Sequence, residues 1–273
     1  MKLFAVVLAA VAARATFIEI VSDQHTVQLL DGEPVGKFVD IEGTNTYVTL
    51  PKNGPQRPKE ALLFLTDIFG VQLVNSRLLA DQFASKGIAT FVPDYLFGDP
   101  VPVDMTGFNL TAWQQRHTEA ITTPFLLNAI KGLRKQGVRR FAATGYCFGG
   151  LYVLRLTQNN TIVAGTTAHP SSLNVPEDFL LVREQSHVPL QIHSAELDTA
   201  LTQALAATVD DVMHGTGDFS DLGGPYKFGY QRINHLGVGH GFAVRPANAS
   251  DPVQIEAMQE AFREAAAFVS RHL

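Results

Sequence analysis

A single cysteine, Cys147, stands in 273 residues, so no disulfide can close within the chain. Basic excess is missing too. Lys and Arg number 21 against 26 Asp and Glu, and a net charge of −5 gives no electrostatic case for a nucleic-acid partner. The nine histidines are scattered, with no close-spaced ligand pattern such as His-Glu-x-x-His, so nothing calls for a metal. Past the first dozen residues no apolar run approaches bilayer-spanning length, and no membrane partner is expected. Internal repeats, low-complexity tracts and a convincing linker are also lacking.

What is present begins with 46% apolar residues, enough for a sizeable core, in one α/β domain as well as in two small ones. Lys2, the apolar run Leu3 to Ala12 and the small-residue pair Ala13 and Ala15 form the pattern of a secretory signal peptide. Residues 1–15 are therefore expected to be removed, leaving one domain over 16–273 that is secreted. Three acceptor tripeptides, at Asn109, Asn159 and Asn248, agree with N-glycosylation on that route. A lone thiol in an oxidising compartment is a liability unless it is buried or useful.

Apolar runs and helical periodicities alternate along the rest. Extended segments are expected at Val35–Ile41 and Thr46–Leu50, and a buried strand at Ala61–Leu65. A helix over Asn75–Lys86 carries Leu79 and Phe83 on one face, and a strand Ile88–Val92 follows. Tyr95–Leu110 is rich in Gly, Pro and Asp and reads as a long loop of the kind that covers a site. Leu126, Ile130 and Leu133 mark a second helix that Pro124 starts or kinks. Further strands are expected at Thr161–Thr167, Val188–His193 and Tyr226–Ile233, with a helix from about Thr199 to Met213. Gly215–Pro225 reads as a loop, and Pro252 opens a closing helix with Ile255, Met258, Phe262 and Val269 on one face. This alternation predicts an α/β fold: one mostly parallel, doubly wound sheet with helices on both faces.

The chain is organised around Gly145-Tyr146-Cys147-Phe148-Gly149-Gly150, where a strand runs into a tight turn and a helix. Gly-x-Cys-x-Gly in that setting is the pattern of a nucleophile elbow, with the central side chain exposed on a strained turn. The Phe148 amide at the helix start can serve as half an oxyanion hole, and Ile68 on an earlier loop can supply the other half. In doubly wound sheets chemistry gathers at the carboxyl ends of the strands, where Asp67, Cys147, Asp198 and His240 fall. Nucleophile, acid and base follow one another in that chain order, as in hydrolases built on such an elbow. His240 lies between two glycines after the last strand and can swing over the thiol; His235 is the competing base. Asp198 can orient the imidazole or merely cap the next helix, and Glu196 is a nearby substitute. His169 ends a strand on the same face and is expected to line the pocket.

Gly-Tyr-Cys-Phe-Gly-Gly, Asp-Ile-Phe-Gly, the Asp after a late strand and Gly-His-Gly-Phe-Ala resemble the dienelactone hydrolase family over about residues 35–273. The resemblance implies an α/β-hydrolase fold, a Cys147–Asp198–His240 triad, no cofactor, and a small-molecule ester or lactone as substrate. Asp67 stands where family members carry a Glu that modulates the thiol. Their two substrate-binding arginines match about Gly98 and Val244 by position, with Arg245 one residue off. The substrate pocket is then expected to involve Phe97, His169, Phe242 and Arg245, with a preference for neutral, moderately apolar substrates. Two other classes fit the lone cysteine, a non-catalytic ligand-binding relative and a thiol redox protein, although the latter usually wants a second cysteine.

Overall fold

The computed structural model describes residues 30 and 32–273. The signal-peptide segment 1–15 and the start of the mature chain lie outside the described residues. The strands are β1 Lys37–Ile41, β2 Thr44–Thr49, β3 Glu60–Leu65, β4 Thr90–Pro93, β5 Arg140–Tyr146, β6 Ala164–Ala168, β7 Leu190–Ala195 and β8 Tyr230–His235. The helices are α1 Val74–Ser85, α2 Leu110–Arg116, α3 Glu119–Lys135, α4 Phe148–Gln158, α5 Glu177–Gln185, α6 Gln203–His214 and α7 Pro252–His272. One sheet takes all eight strands in the order β1-β2-β4-β3-β5-β6-β7-β8. The β1–β2 and β2–β4 pairings are antiparallel, and every other pairing is parallel.

Burial on both faces explains the continuous apolar runs. In β3, Leu63 and Leu65 pack toward the layer holding α3 to α6, while Leu62 and Phe64 pack toward α1 and α7. The chain turns from one side of β3 to the other between β4 and β5, so β3 and β5 flank the switch point where doubly wound sheets place ligands. The register Leu65↔Gly145 sets Asp67 and Cys147 side by side just beyond the two strand ends. No helix among the described residues is long and apolar enough to cross a membrane.

Several boundaries depart from the sequence expectation, each for a local reason. Helix α3 begins at Glu119, and Pro124 lies inside it instead of at its start. Helix α6 begins at Gln203, not Thr199, because Thr202 is its cap: the Thr202 hydroxyl accepts the Leu205 amide at 3.3 Å. The last strand is shifted to Tyr230–His235, and the Gly-rich stretch before it holds a 3₁₀ segment, Gly217–Leu222. Helices α2 and α5 have no counterpart in the sequence reading. In α7, Ile255, Met258 and Phe262 are only half-buried; Ala257, Ala261, Ala265 and Phe268 join Val269 as the buried stripe. Small residues let this helix lie close on the sheet, so its hydrophobic face is less apolar than its packing requires.

Candidate active site

Cys147 sits at the tip of the β5–α4 turn with φ 52° and ψ −115°, a left-handed backbone that costs a non-glycine residue free energy. The turn is held from both sides. The Cys147 amide donates to the Ala168 carbonyl at 3.2 Å, and the Cys147 carbonyl accepts from Gly150 at 2.9 Å and Ser171 at 3.0 Å. Gly149 must lack a side chain, since a Cβ there would stand 2.2 Å from the Leu65 carbonyl oxygen. That close approach presses the start of α4 against the end of β3. Phe148 is the first residue of α4, so its amide has no acceptor within the helix. The Ile68 loop lies across the switch point and is tied down by the Val101 amide, which donates to the Ile68 carbonyl at 2.9 Å.

The loop after β8 brings His240 to the same place. Its Nδ1 meets both oxygens of Asp198, at 3.0 and 3.1 Å, and both side chains are buried. Asp198 also accepts the Ala200 amide at 2.7 Å, so one carboxylate orients the ring and shapes the turn before α6. Glu196 instead accepts the Gly237 amide at 2.8 Å, which shapes the loop that leads to His240. His235 is engaged elsewhere, with its Nε2 at 3.0 Å from His193 Nδ1. Burial alone would push the Cys147 thiol up; the adjacent His240 and Arg245 charges outweigh it, and the thiol is held below its ordinary value. Burial works against the His240 cation too, but Cys147 and Asp198 overcome it and raise the imidazole to about 10. Asp198 is drawn below its ordinary range because His240 and two backbone amides offset the cost of its burial. These shifts favour charge on all three groups, with Asp198 hydrogen-bonded behind the imidazole.

The sequence pattern of the dienelactone hydrolase family matches residues 44–273. The chain belongs to the dienelactone hydrolase family. The hydrolase pyvD of Aspergillus violaceofuscus is 33% identical over 80% of this chain and 82% of that protein. Dienlactone hydrolase 1 of Gibberella moniliformis is 30% identical over 85% of this chain and 86% of its own length. Among solved structures, dienelactone hydrolase from Anabaena variabilis superposes with a TM-score of 0.59 at 13% identity, covering 91% of this chain and all of that one. The fold is therefore the α/β-hydrolase fold, and the protein is a hydrolase.

In this dienelactone hydrolase family member, Arg245 is not displaced from the site as its one-residue offset implied. It is buried, its Nε donates to Asp67 Oδ2 at 2.9 Å, and its guanidinium lies over the Phe69 ring. The short turn through Gly241 makes up the offset, since Arg245 folds back so that a Cβ on Gly241 would lie 2.6 Å from Nη1. Asp67 is fully buried, and its other oxygen accepts the Phe69 amide at 3.0 Å. Burial raises its carboxyl, with Arg245 and the Phe69 amide opposing. Asp67 acts on Cys147 through its charge, which pushes the thiol up, and the group in hydrogen-bond reach of the sulfur is a different one. Ser171 Oγ lies 3.4 Å from Cys147 Sγ, a contact absent from the sequence reading.

His169 packs against His240, and Phe242 packs against His169. The His169 ring is 5.1 Å from that of His240 and 5.5 Å from that of Phe242. Phe97 has a different setting from the one expected. Its ring stacks on His117 at 4.7 Å and on Phe125 at 5.1 Å, and His117 stacks on Trp113, which meets Phe148 edge-on. The loop after β4 thus contributes to the wall beside Phe148 through an aromatic ladder, with Trp113 of α2 as its inner member. The Trp113 indole donates to the Asp99 carbonyl at 2.7 Å, pinning that loop to α2.

Proposed function

We propose that this protein cleaves a small ester or lactone through an acyl-thioenzyme formed on Cys147. The observation that carries the reading is the buried His240–Asp198 hydrogen-bonded pair gathered with Cys147 beyond the strand ends, where the thiol is held below its ordinary value. The thiolate attacks the substrate carbonyl, and the Phe148 and Ile68 amides stabilise the oxyanion. His240 gives its proton to the leaving oxygen, then takes one from water as the acyl group is released. Asp198 holds the ring in the tautomer this exchange needs.

Substrate charge follows from the buried ions. Asp67 and Arg245 compensate each other, as do Cys147 and His240, so an additional substrate carboxylate would enter a dry site without a free counter-charge. Neutral esters and lactones are the preferred class. The reading also takes the mature chain to begin near Thr16 and to be secreted. Asn109, Asn159 and Asn248 are all exposed at turns or helix ends, which supports their availability for glycosylation.

The test is turnover of an activated aryl ester by Cys147→Ala and His240→Ala, with circular dichroism to show that both fold. Activity should be abolished in the first and fall by about 10³-fold or more in the second, while Cys147→Ser keeps a fraction. Near-normal hydrolysis by Cys147→Ala overturns the mechanism. For specificity, kcat/KM is compared for a matched neutral and anionic lactone in the wild type and in Asp67→Asn. The wild type should favour the neutral lactone, and Asp67→Asn, which removes the carboxylate that neutralises Arg245, should shift preference toward the anion. A wild type that favours the anion tenfold, about 1.4 kcal/mol, refutes the neutral-substrate reading.

A further inference from the structure

His169 is the least explained polar group near the proposed nucleophile. Its ring is completely buried, yet neither ring nitrogen has a hydrogen-bond partner among the described residues. The Nε2 of His240 is in the same condition. Three buried, unpartnered nitrogens thus sit on two rings that meet edge to face with centroids 5.1 Å apart. An unpaired buried polar group is costly, and a phenyl or leucyl side chain would pack there without that cost. His169 is nonetheless set firmly in place. It adopts φ 39°, its amide donates to the His193 carbonyl at 2.8 Å, and its ring is clasped by His240, Phe242 and Tyr146. Burial first, then the His240 and Arg245 charges, hold His169 well below its ordinary value, so it is neutral, with one nitrogen a donor and the other an acceptor.

We infer that His169 holds the attacking water against His240 in the deacylation step. The inference rests on the acyl-thioenzyme reading above. Two imidazoles in edge-to-face contact can each accept one hydrogen of a single water, leaving an oxygen lone pair free to face the thioester carbon. In that step the water oxygen bonds to the thioester carbon and one water proton passes to His240 Nε2. The carbon–sulfur bond breaks, Cys147 leaves as thiolate, and the carboxylic acid departs with the other water proton. The thiolate–imidazolium pair is restored, with atoms and charge in balance. His169 stays neutral throughout and fixes the direction of attack.

The experiment separates the two half-reactions with p-nitrophenyl butyrate, whose leaving group departs as an anion and needs no proton from His240. In His169→Phe, the burst of p-nitrophenolate should keep its amplitude and lie within about threefold of the wild-type rate, while steady-state turnover falls on the order of 10²-fold. Intact mass should then show the butyryl group accumulating on Cys147. Hydroxylamine, which attacks without a base, should restore turnover in this variant. His169→Gln, which keeps an acceptor, should recover part of the rate. If His169→Phe does not fold, His169→Leu takes its place with the same expectations. The inference is overturned if burst and steady state fall together, if neither changes, or if Gln is as slow as the apolar variant. A wild type that never acquires the butyryl group on Cys147 overturns the acyl-thioenzyme reading itself, and this inference with it.

Discussion

At the residue scale, Cys147 is subject to opposing influences that can be measured one at a time. Burial raises its pKa, His240 and Arg245 lower it, and Asp67 raises it. The rate of alkylation by iodoacetamide reports the thiolate fraction, so its pH profile should inflect below the value of about 8.5 for a free thiol. In His240→Asn the cation is gone while burial and Asp67 remain, and the inflection should move above the free-thiol value. Ser171 Oγ lies 3.4 Å from the sulfur, where its hydroxyl can donate to a thiolate. Ser171→Ala should therefore shift the inflection upward by less than His240→Asn does. An unchanged profile in Ser171→Ala would reduce Ser171 to a packing residue.

At the element scale, the strand–turn–helix β5–Cys147–α4 works only because its helix can touch the neighbouring strand. Gly149 is the contact point, with the Leu65 and Thr66 carbonyl oxygens 2.2 and 2.7 Å from where a Cβ would stand. These are backbone atoms of β3 and of the loop that carries Ile68, so they cannot rotate away. Gly149→Ala should push α4 from β3, costing about 1–3 kcal/mol or more as overpacking. It should also lower kcat by separating the Phe148 and Ile68 amides. Urea denaturation with parallel kinetics checks both; a midpoint equivalent to within about 0.5 kcal/mol of wild type would contradict the geometry. Elements were legible in the sequence where periodicity was strong, as in Leu126, Ile130 and Leu133 of α3, all buried. Short α2 and α5 were not, because seven and nine residues give too few turns for an apolar face to repeat.

At the scale of the whole molecule, a polar chain buried at its histidines joins β7, β8 and α7. His193 Nε2 donates to Gln191 Oε1 at 3.0 Å, its Nδ1 therefore accepts from His235 Nε2 at 3.0 Å, and His235 lies 3.2 Å from Glu260. Burial, then the His235 charge, lowers His193 to about 3. Because its unfolded value is near 6.5, the stability it permits is full above that pH and is lost as pH falls toward 3. Between pH 6.5 and 4, unfolding free energy should decline with a contribution of about 1.4 kcal/mol per pH unit from this group, and His193→Gln should flatten the slope by that amount. Equal slopes in the two proteins would refute it. By itself the sequence determined the Gly-x-Cys-x-Gly turn, because such a turn depends on neighbours a few residues apart. It also determined the alternation of strands and helices and the order of Cys147, Asp198 and His240. Tertiary structure alone decided which of two carboxylates two residues apart meets His240, since the turn after β7 sends Asp198 and Glu196 to different partners. It also decided that Arg245 pairs with Asp67 across 178 positions, and that Ser171 and His169 flank the thiol and imidazole. Those pairings are made by strand order and register, which bring distant segments together at one sheet edge.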